Sequence, residues 1–235
     1  MVGGKFIRKG PRSESPDDLE PIAREAQIYS LIRPHPRIVE CMSMDRVDRV
    51  DLKFYQYDDI ATYRKEKGLT PELQADWFRQ IIEAIVVIHS RGIIHSDLAL
   101  RQYFFDASGR LQGFADPDHP ALGYEKASHC LPRDYTIPNS EKSDIFATGS
   151  TLYELFVGKE PYAEIWASDP EPGPRDYDAI RAQVYRQHQA GPEIEKRFKE
   201  GRFPDVSDVF RGDVISGCWR GEYSSALQVL ELYAA

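Results

Sequence analysis

Apolar residues recur at helical spacing in the longer stretches of the chain and at strand-like spacing in short ones, so a mixed architecture is expected. The strongest helical signal follows Thr70-Pro71-Glu72, a good helix start, after which Trp77, Phe78, Ile81, Ile82, Ile85 and Ile88 fall three and four apart. This pattern predicts a buried helix ending at Arg91-Gly92. An earlier helix is predicted over 19–32, with Asp17 and Asp18 as caps and Pro21 in the first turn. Its apolar face comprises Ile22, Ala26, Ile28, Tyr29 and Ile32, and Pro34 and Pro36 stop it. Short β-like runs at 37–43 and 50–57 suggest a small sheet. Ile93-Ile94 reads as a buried β-bridge entering the polar loop His95-Ser96-Asp97, and a hairpin follows, with strands over 103–105 and 110–114 joined at 106–109. Helices are then predicted over 144–158, 177–188, 207–219 and 224–233. A small mixed piece followed by a larger helical one belongs to the α+β class.

Composition narrows the function classes. The 235 residues are 41% hydrophobic and 11% aromatic, enough for a sizeable core. With 38 acidic and 30 basic residues the formal charge is −8, and no dense Lys/Arg run is present to neutralise a phosphate backbone, so nucleic acid is not an expected partner. Cys41, Cys130 and Cys218 are far apart and odd in number, which suggests neither a disulfide framework nor a zinc site and fits a reducing, intracellular compartment, cytoplasmic or nuclear. The longest apolar run, near 81–88, is too short to span a bilayer, and Met1-Val-Gly-Gly-Lys lacks the apolar core of a signal peptide, so no membrane association is expected.

Chemistry concentrates at His95-x-Asp97. A carboxylate just after a buried chain segment suits accepting a hydroxyl proton, and the same triplet taken alone equally describes a capped turn. The longer passage from Ile93 through His95-Ser96-Asp97-Leu98-Ala99-Leu100-Arg101 to Gln102 resembles the catalytic loop of protein kinases, H-R-D-x-x-x-x-N, with Asp97 matching the catalytic base. Leu111-Gln112-Gly113-Phe114-Ala115 resembles the strand carrying D-F-G, and Asp144-Ile145-Phe146-Ala147-Thr148-Gly149 resembles D-x-W-x-x-G. Phe6-Ile7-Arg8-Lys9 is similar to the strand bearing the ATP-contacting lysine, Glu25 falls where its partner glutamate lies, and 54–57 sits near the hinge. The blocks Leu131-Pro132-Arg133-Asp134, Phe203-Pro204-Asp205-Val206 and Cys218-Trp219-Arg220-Gly221-Glu222-Tyr223 are similar to those of degenerate fungal kinase-like domains.

The resemblance implies a two-lobe fold over 1–235, with a shortened N-terminal β lobe (1–57) and a larger helical lobe (58–235). It implies ATP as cofactor, Lys9, Glu25 and Gln102 on the cofactor side, Asp97 as base and Asp144 as a brace for the catalytic loop. It implies a protein substrate or partner. The departures bear on activity, because phosphoryl transfer depends on positioned phosphates and metal ions. Gly113 stands where an aspartate should hold magnesium, Gln102 where an asparagine should hold a second ion, and Ser96 where an arginine often receives an activating phosphate. No glycine-rich phosphate loop precedes Lys9, either because the domain lacks one or because further residues precede Met1. Asp116 or Asp118 could supply the missing metal ligand, the alternative being that Asp116-Pro117-Asp118 is a solvated turn. Three functional expectations follow. The first is a catalytically impaired pseudokinase that binds nucleotide weakly and acts through protein contacts. The second is an active Ser/Thr or Tyr kinase using Asp97, and the third a small-molecule phosphotransferase, against which 144–149 argues.

Overall fold

The computed structural model describes residues 6–32, 34–57, 59–106, 109–113, 125–134, 136–166 and 177–234. The first described element is β1 (Phe6–Lys9), which pairs antiparallel with β2 (Val50–Lys53), Phe6 opposite Lys53 and Lys9 opposite Val50. Between them lies α1 (Pro16–Ile32), which starts three residues earlier than the apolar pattern indicates. Asp18 N and Leu19 N donate to Ser15 O, so Asp17 and Asp18 sit in the first turn, where carboxylates complement the helix dipole, rather than capping it. The run 37–43 is not a strand but a splice between two small sheets: Ile38 bridges Gly113 and Cys41 bridges Leu52. Its backbone groups are divided, with Val39 N donating to Gly113 O and Lys53 N donating to Glu40 O, so no continuous ladder forms.

The helical part begins with α2 (Ile60–Lys67), which the apolar pattern does not predict, since Ile60 is its buried residue. The Asp59 carboxylate starts it by accepting from Thr62 N. In α3 (Pro71–His89), Thr70 caps, Pro71 occupies the first turn, and all six apolar residues of the predicted stripe are buried. The expected bridge at Ile93-Ile94 does not form: Ile93 N is spent on Ile88 O, in the turn that ends α3. A 3-10 turn over Leu100–Gln102 leads into the hairpin β3 (Tyr103–Phe105) and β4 (Leu111–Gly113), Tyr103 opposite Gly113.

Next come α4 (Glu141–Val157), the short α5 (Ala163–Trp166), α6 (Tyr177–Lys199), α7 (Gly212–Arg220) and α8 (Ala226–Ala234). The helix α6 runs past the predicted end at 188 because Ala190, Ile194 and Phe198 continue a buried face. The helix α7 starts later than 207, since Val209 N and Gly212 N are taken by turn bonds to Val206 O and Val209 O. The core of this part is α3 and α4, with α8 packed on α3 and α7 on α4. At Gly149 a β-carbon would lie 2.8 Å from Cys218 Cβ, so the α4–α7 approach requires glycine. Trp219 stacks on Phe203 and donates Nε1 to Ser150 Oγ at 3.0 Å. The plan is α+β, a small β-containing part followed by a helical one, as expected. Among the described residues no helix is long and apolar enough to cross a membrane.

Candidate active site

The loop 95–102 is held from below by one carboxylate. Asp144, in the first turn of α4 and 0% exposed, accepts from His95 N at 2.7 Å, Ser96 N at 3.0 Å and His89 Nε2 at 2.9 Å. Ser96 has φ of +67°, a left-handed conformation that a non-glycine residue holds only when its surroundings over-determine it. The paired N–H groups on Asp144 supply that constraint. The expected bracing role of Asp144 is therefore realised, and His89, the last residue of α3, is part of the brace. The only sequence signal for His89 is its place at the end of α3, because its partner lies 55 residues away.

Asp97 lies in this loop with both oxygens engaged. Arg101 Nη2 donates to Oδ1 at 2.5 Å, and Gln102 Nε2 donates to Oδ2 at 2.8 Å. Asp97 N donates to His95 Nδ1 at 3.3 Å, which leaves the imidazole proton on Nε2, a buried atom without a hydrogen-bond partner among the described residues. Arg101 and Gln102 thus set the orientation of the carboxylate.

Lys9 and Glu25 come together as expected: Lys9 Nζ lies 2.9 Å from Glu25 Oε1, tying β1 to α1. Glu25 is 4% exposed, while a third of the Lys9 side chain remains open. Beside them Arg8 makes a two-pronged contact with Asp51, at 2.7 and 2.9 Å.

Gly113 is the end of β4, and its place is filled from the opposite strand. A β-carbon there would meet the Tyr103 ring at 3.1 Å and Ala84 Cβ at 3.7 Å. Tyr103 is fully buried, and burial, with the charge of Asp144, pushes its hydroxyl far above the usual range. A larger residue at 113 therefore needs the Tyr103 ring to shift, which the sequence does not reveal. Of the two positions matched to the magnesium ligands, Gly113 has no donor side chain, whereas Gln102 gives its Nε2–H to Asp97 and keeps its Oε1 as a donor atom, so the pair fits the metal only at 102. Among the described residues no group of three or more His, Cys, Asp or Glu side chains could hold a metal ion. Asp116 and Asp118 lie outside the described residues. The Lys9–Glu25 pair, by contrast, presents a held ammonium suited to a phosphate group.

Sequence reading also missed Glu125. Its side chain is almost fully buried, 3.6 Å from Arg133, and neither oxygen has a geometrically sound hydrogen bond among the described residues. Burial pushes its carboxyl up to about 8 in spite of Arg133, with the charges of Asp144 and Asp97 adding to the rise.

No family model matches the chain. Among curated proteins, it is 32% identical over 178 residues to NUAK family SNF1-like kinase 2 of Rattus norvegicus, covering 69% of this chain and 28% of that protein. It is 27% identical over 186 residues to CBL-interacting serine/threonine-protein kinase 5 of Arabidopsis thaliana, covering 70% and 41%. It is 25% identical over 167 residues to serine/threonine-protein kinase kin-29 of Caenorhabditis briggsae, covering 65% and 20%. The aligned region spans between a fifth and about two fifths of the length of these relatives. Together with the α+β plan and the braced loop at Asp97, these matches place the chain in the protein kinase-like superfamily.

Proposed function

We propose that this chain is a kinase-like domain whose phosphoryl transfer is impaired, and that it works through weak nucleotide binding and contacts with protein partners. The observation that carries this reading is Gly113, which offers no carboxylate and has the Tyr103 ring against it. If each lost electrostatic partner costs on the order of a hundred-fold in rate, the changes at 113 and 102 together remove about four orders of magnitude. ATP would be held at Lys9, with Glu25 fixing the ammonium, and when bound it would supply the phosphoryl group. The motif text at 131–134, 203–206 and 218–223 supports a place among degenerate fungal kinase-like domains. A division into a β lobe over 1–57 and a helical lobe over 58–235 is part of the same reading. Net acidic charge favours protein over nucleic acid as partner, and three free cysteines suit a reducing compartment, cytoplasmic or nuclear.

A second reading, ATP-dependent transfer to a protein hydroxyl with Asp97 as base, is favoured by one observation: the Lys9–Glu25 pair and Asp97 are both present and ordered. The wording 97–101 leans towards tyrosine kinases, whereas the relatives are serine/threonine kinases by name.

A thermal-shift titration with ATP, with and without Mg²⁺ or Mn²⁺, distinguishes the two. The first reading expects a small shift that Lys9→Met abolishes and that metal does not enlarge. A large metal-dependent shift would overturn it in favour of the second.

A further inference from the structure

The segment 125–134, the end of α4 and the turn after it together carry a line of polar side chains that the proposed function does not use. Lys126 Nζ lies 2.5 Å from Glu160 Oε1, and Ser128 Oγ donates to Glu160 Oε2 at 3.0 Å. Ser128 Oγ is also 3.0 Å from His129 Nδ1, and His129 Nε2 lies 3.7 Å from Glu154 Oε2 with no hydrogen-bond partner among the described residues. Ser128 and His129 are fully buried, while Glu154 and Glu160 border a cavity of about 620 Å³.

Proton counting fixes the state shown. Ser128 has one hydrogen, which it gives to Glu160, so it must accept from His129 Nδ1–H. The Nε2 lone pair then faces Glu154. A protonated Glu154 presents an O–H to that lone pair, whereas an ionised Glu154 opposes one acceptor to another in a buried site. The imidazole relieves this by changing tautomer. The Glu154 proton passes to Nε2, the Nδ1 proton passes to Ser128 Oγ, and the former Ser128 proton leaves through Glu160 to solvent in the cavity. One proton is released, His129 ends neutral with Nε2–H towards Glu154, and the Ser128 hydroxyl turns from Glu160 to Nδ1.

We propose that Glu154, His129, Ser128 and Glu160 form a proton-linked switch, in which ionisation of Glu154 changes the His129 tautomer and releases the Ser128 hydroxyl from Glu160.

The electrostatics agree with the geometry. Burial, joined by the charge of Glu160, pushes Glu154 up to about 7, against Lys126, the Leu100 backbone and Arg101. Burial pulls His129 down to about 4, so it stays neutral while Glu154 titrates. Burial opposes ionisation of Glu160 too, but the Lys126 ammonium and the Ser128 hydroxyl hold it below the usual range. Among the described residues the remaining charged groups around Glu154 are Lys159, just beyond the end of α4, and Arg64 and Lys65 from α2; Arg64 Nε and Nη2 are committed to Leu155 O and Phe156 O. Arg101, which acts on both Glu154 and His129, is the partner of Asp97, so the switch is felt beside the catalytic loop whether or not phosphoryl is transferred.

The test is the ring-nitrogen NMR shifts of ¹⁵N-labelled His129 in the whole chain, followed from about pH 5.5 to about pH 8.5. The expected result is a neutral ring that passes from the Nδ1–H to the Nε2–H tautomer, and a single Nδ1–H tautomer throughout in Glu154→Gln. A wild-type tautomer constant over that range, or a ring that charges within it, overturns the proposal. The wild-type titration decides the matter even if Glu154→Gln does not fold, and a tautomer change persisting in a folded Glu154→Gln overturns it as well.

Discussion

Replacing Asp144 by alanine removes the carboxylate on which the loop 95–102 rests. Three donors, His95 N, Ser96 N and His89 Nε2, all within 3.0 Å of its oxygens, lose their acceptor in a site with no solvent access. An orphaned buried donor costs about 1–3 kcal/mol. Partial relaxation of the left-handed Ser96 recovers some of this, so the net loss is about 3–5 kcal/mol. For a chain of this length that corresponds to a fall in Tm of roughly 6–20 °C. Asp144→Asn keeps one acceptor oxygen but turns an amide N–H towards a backbone donor, and its loss is about half as large. Urea unfolding followed by tryptophan fluorescence measures both, with the slope checked so that a shift in midpoint reads as stability. A loss below about 1 kcal/mol in Asp144→Ala would refute the idea that this carboxylate carries the loop.

The remaining expectations concern other close approaches and one buried acid. Gly113→Asp should cost about 1–3 kcal/mol through its contact with the Tyr103 ring, and a double-mutant cycle with Tyr103→Leu should show a coupling above about 0.5 kcal/mol. Strictly additive effects would remove the steric explanation. Gly217→Ala places a β-carbon against both the hydroxyl and the ring carbons of Tyr223 and should lower stability by at least about 1 kcal/mol, a loss that Tyr223→Phe should leave largely in place and Tyr223→Ala, by removing the ring, should reduce. The Glu125 carboxyl is raised in the folded chain to about 8, so its contribution is fully present below its unfolded value and is lost as pH rises through 8. Glu125→Gln should therefore raise Tm, relative to the natural chain, more at about pH 9 than at about pH 5, and an equal effect at both would contradict the assignment.

How far this could be foreseen differs by element. The helix α3 was legible because six large apolar residues repeat on one face and all are buried. The helix α2 was not, because its sequence Ile-Ala-Thr-Tyr-Arg-Lys-Glu-Lys offers one buried anchor and is set by the Asp59 cap instead. The run 37–43 looked like a strand because it carries strand-forming residues, but its hydrogen bonds are divided between two partners. At the site, the Lys9–Glu25 pair and the bracing by Asp144 were accessible only through the likeness of short motifs to protein kinases. No local rule brings together residues 16 or about 50 positions apart. The Tyr103 ring against Gly113, the clamp of Arg101 and Gln102 on Asp97 and the buried Glu125 depend on side-chain placement, and nothing in the sequence pattern marks them.

The central claim is that this kinase-like domain is impaired in phosphoryl transfer. The most direct test is a single-turnover assay with γ-labelled ATP and the protein in excess, with Mg²⁺ or Mn²⁺, comparing the natural chain with Asp97→Asn after both are shown to be folded. The account predicts label transfer and ATP hydrolysis in the natural chain no more than marginally above those of Asp97→Asn. Metal-dependent transfer about a hundred-fold or more above that variant would contradict it and establish Asp97 as a working base.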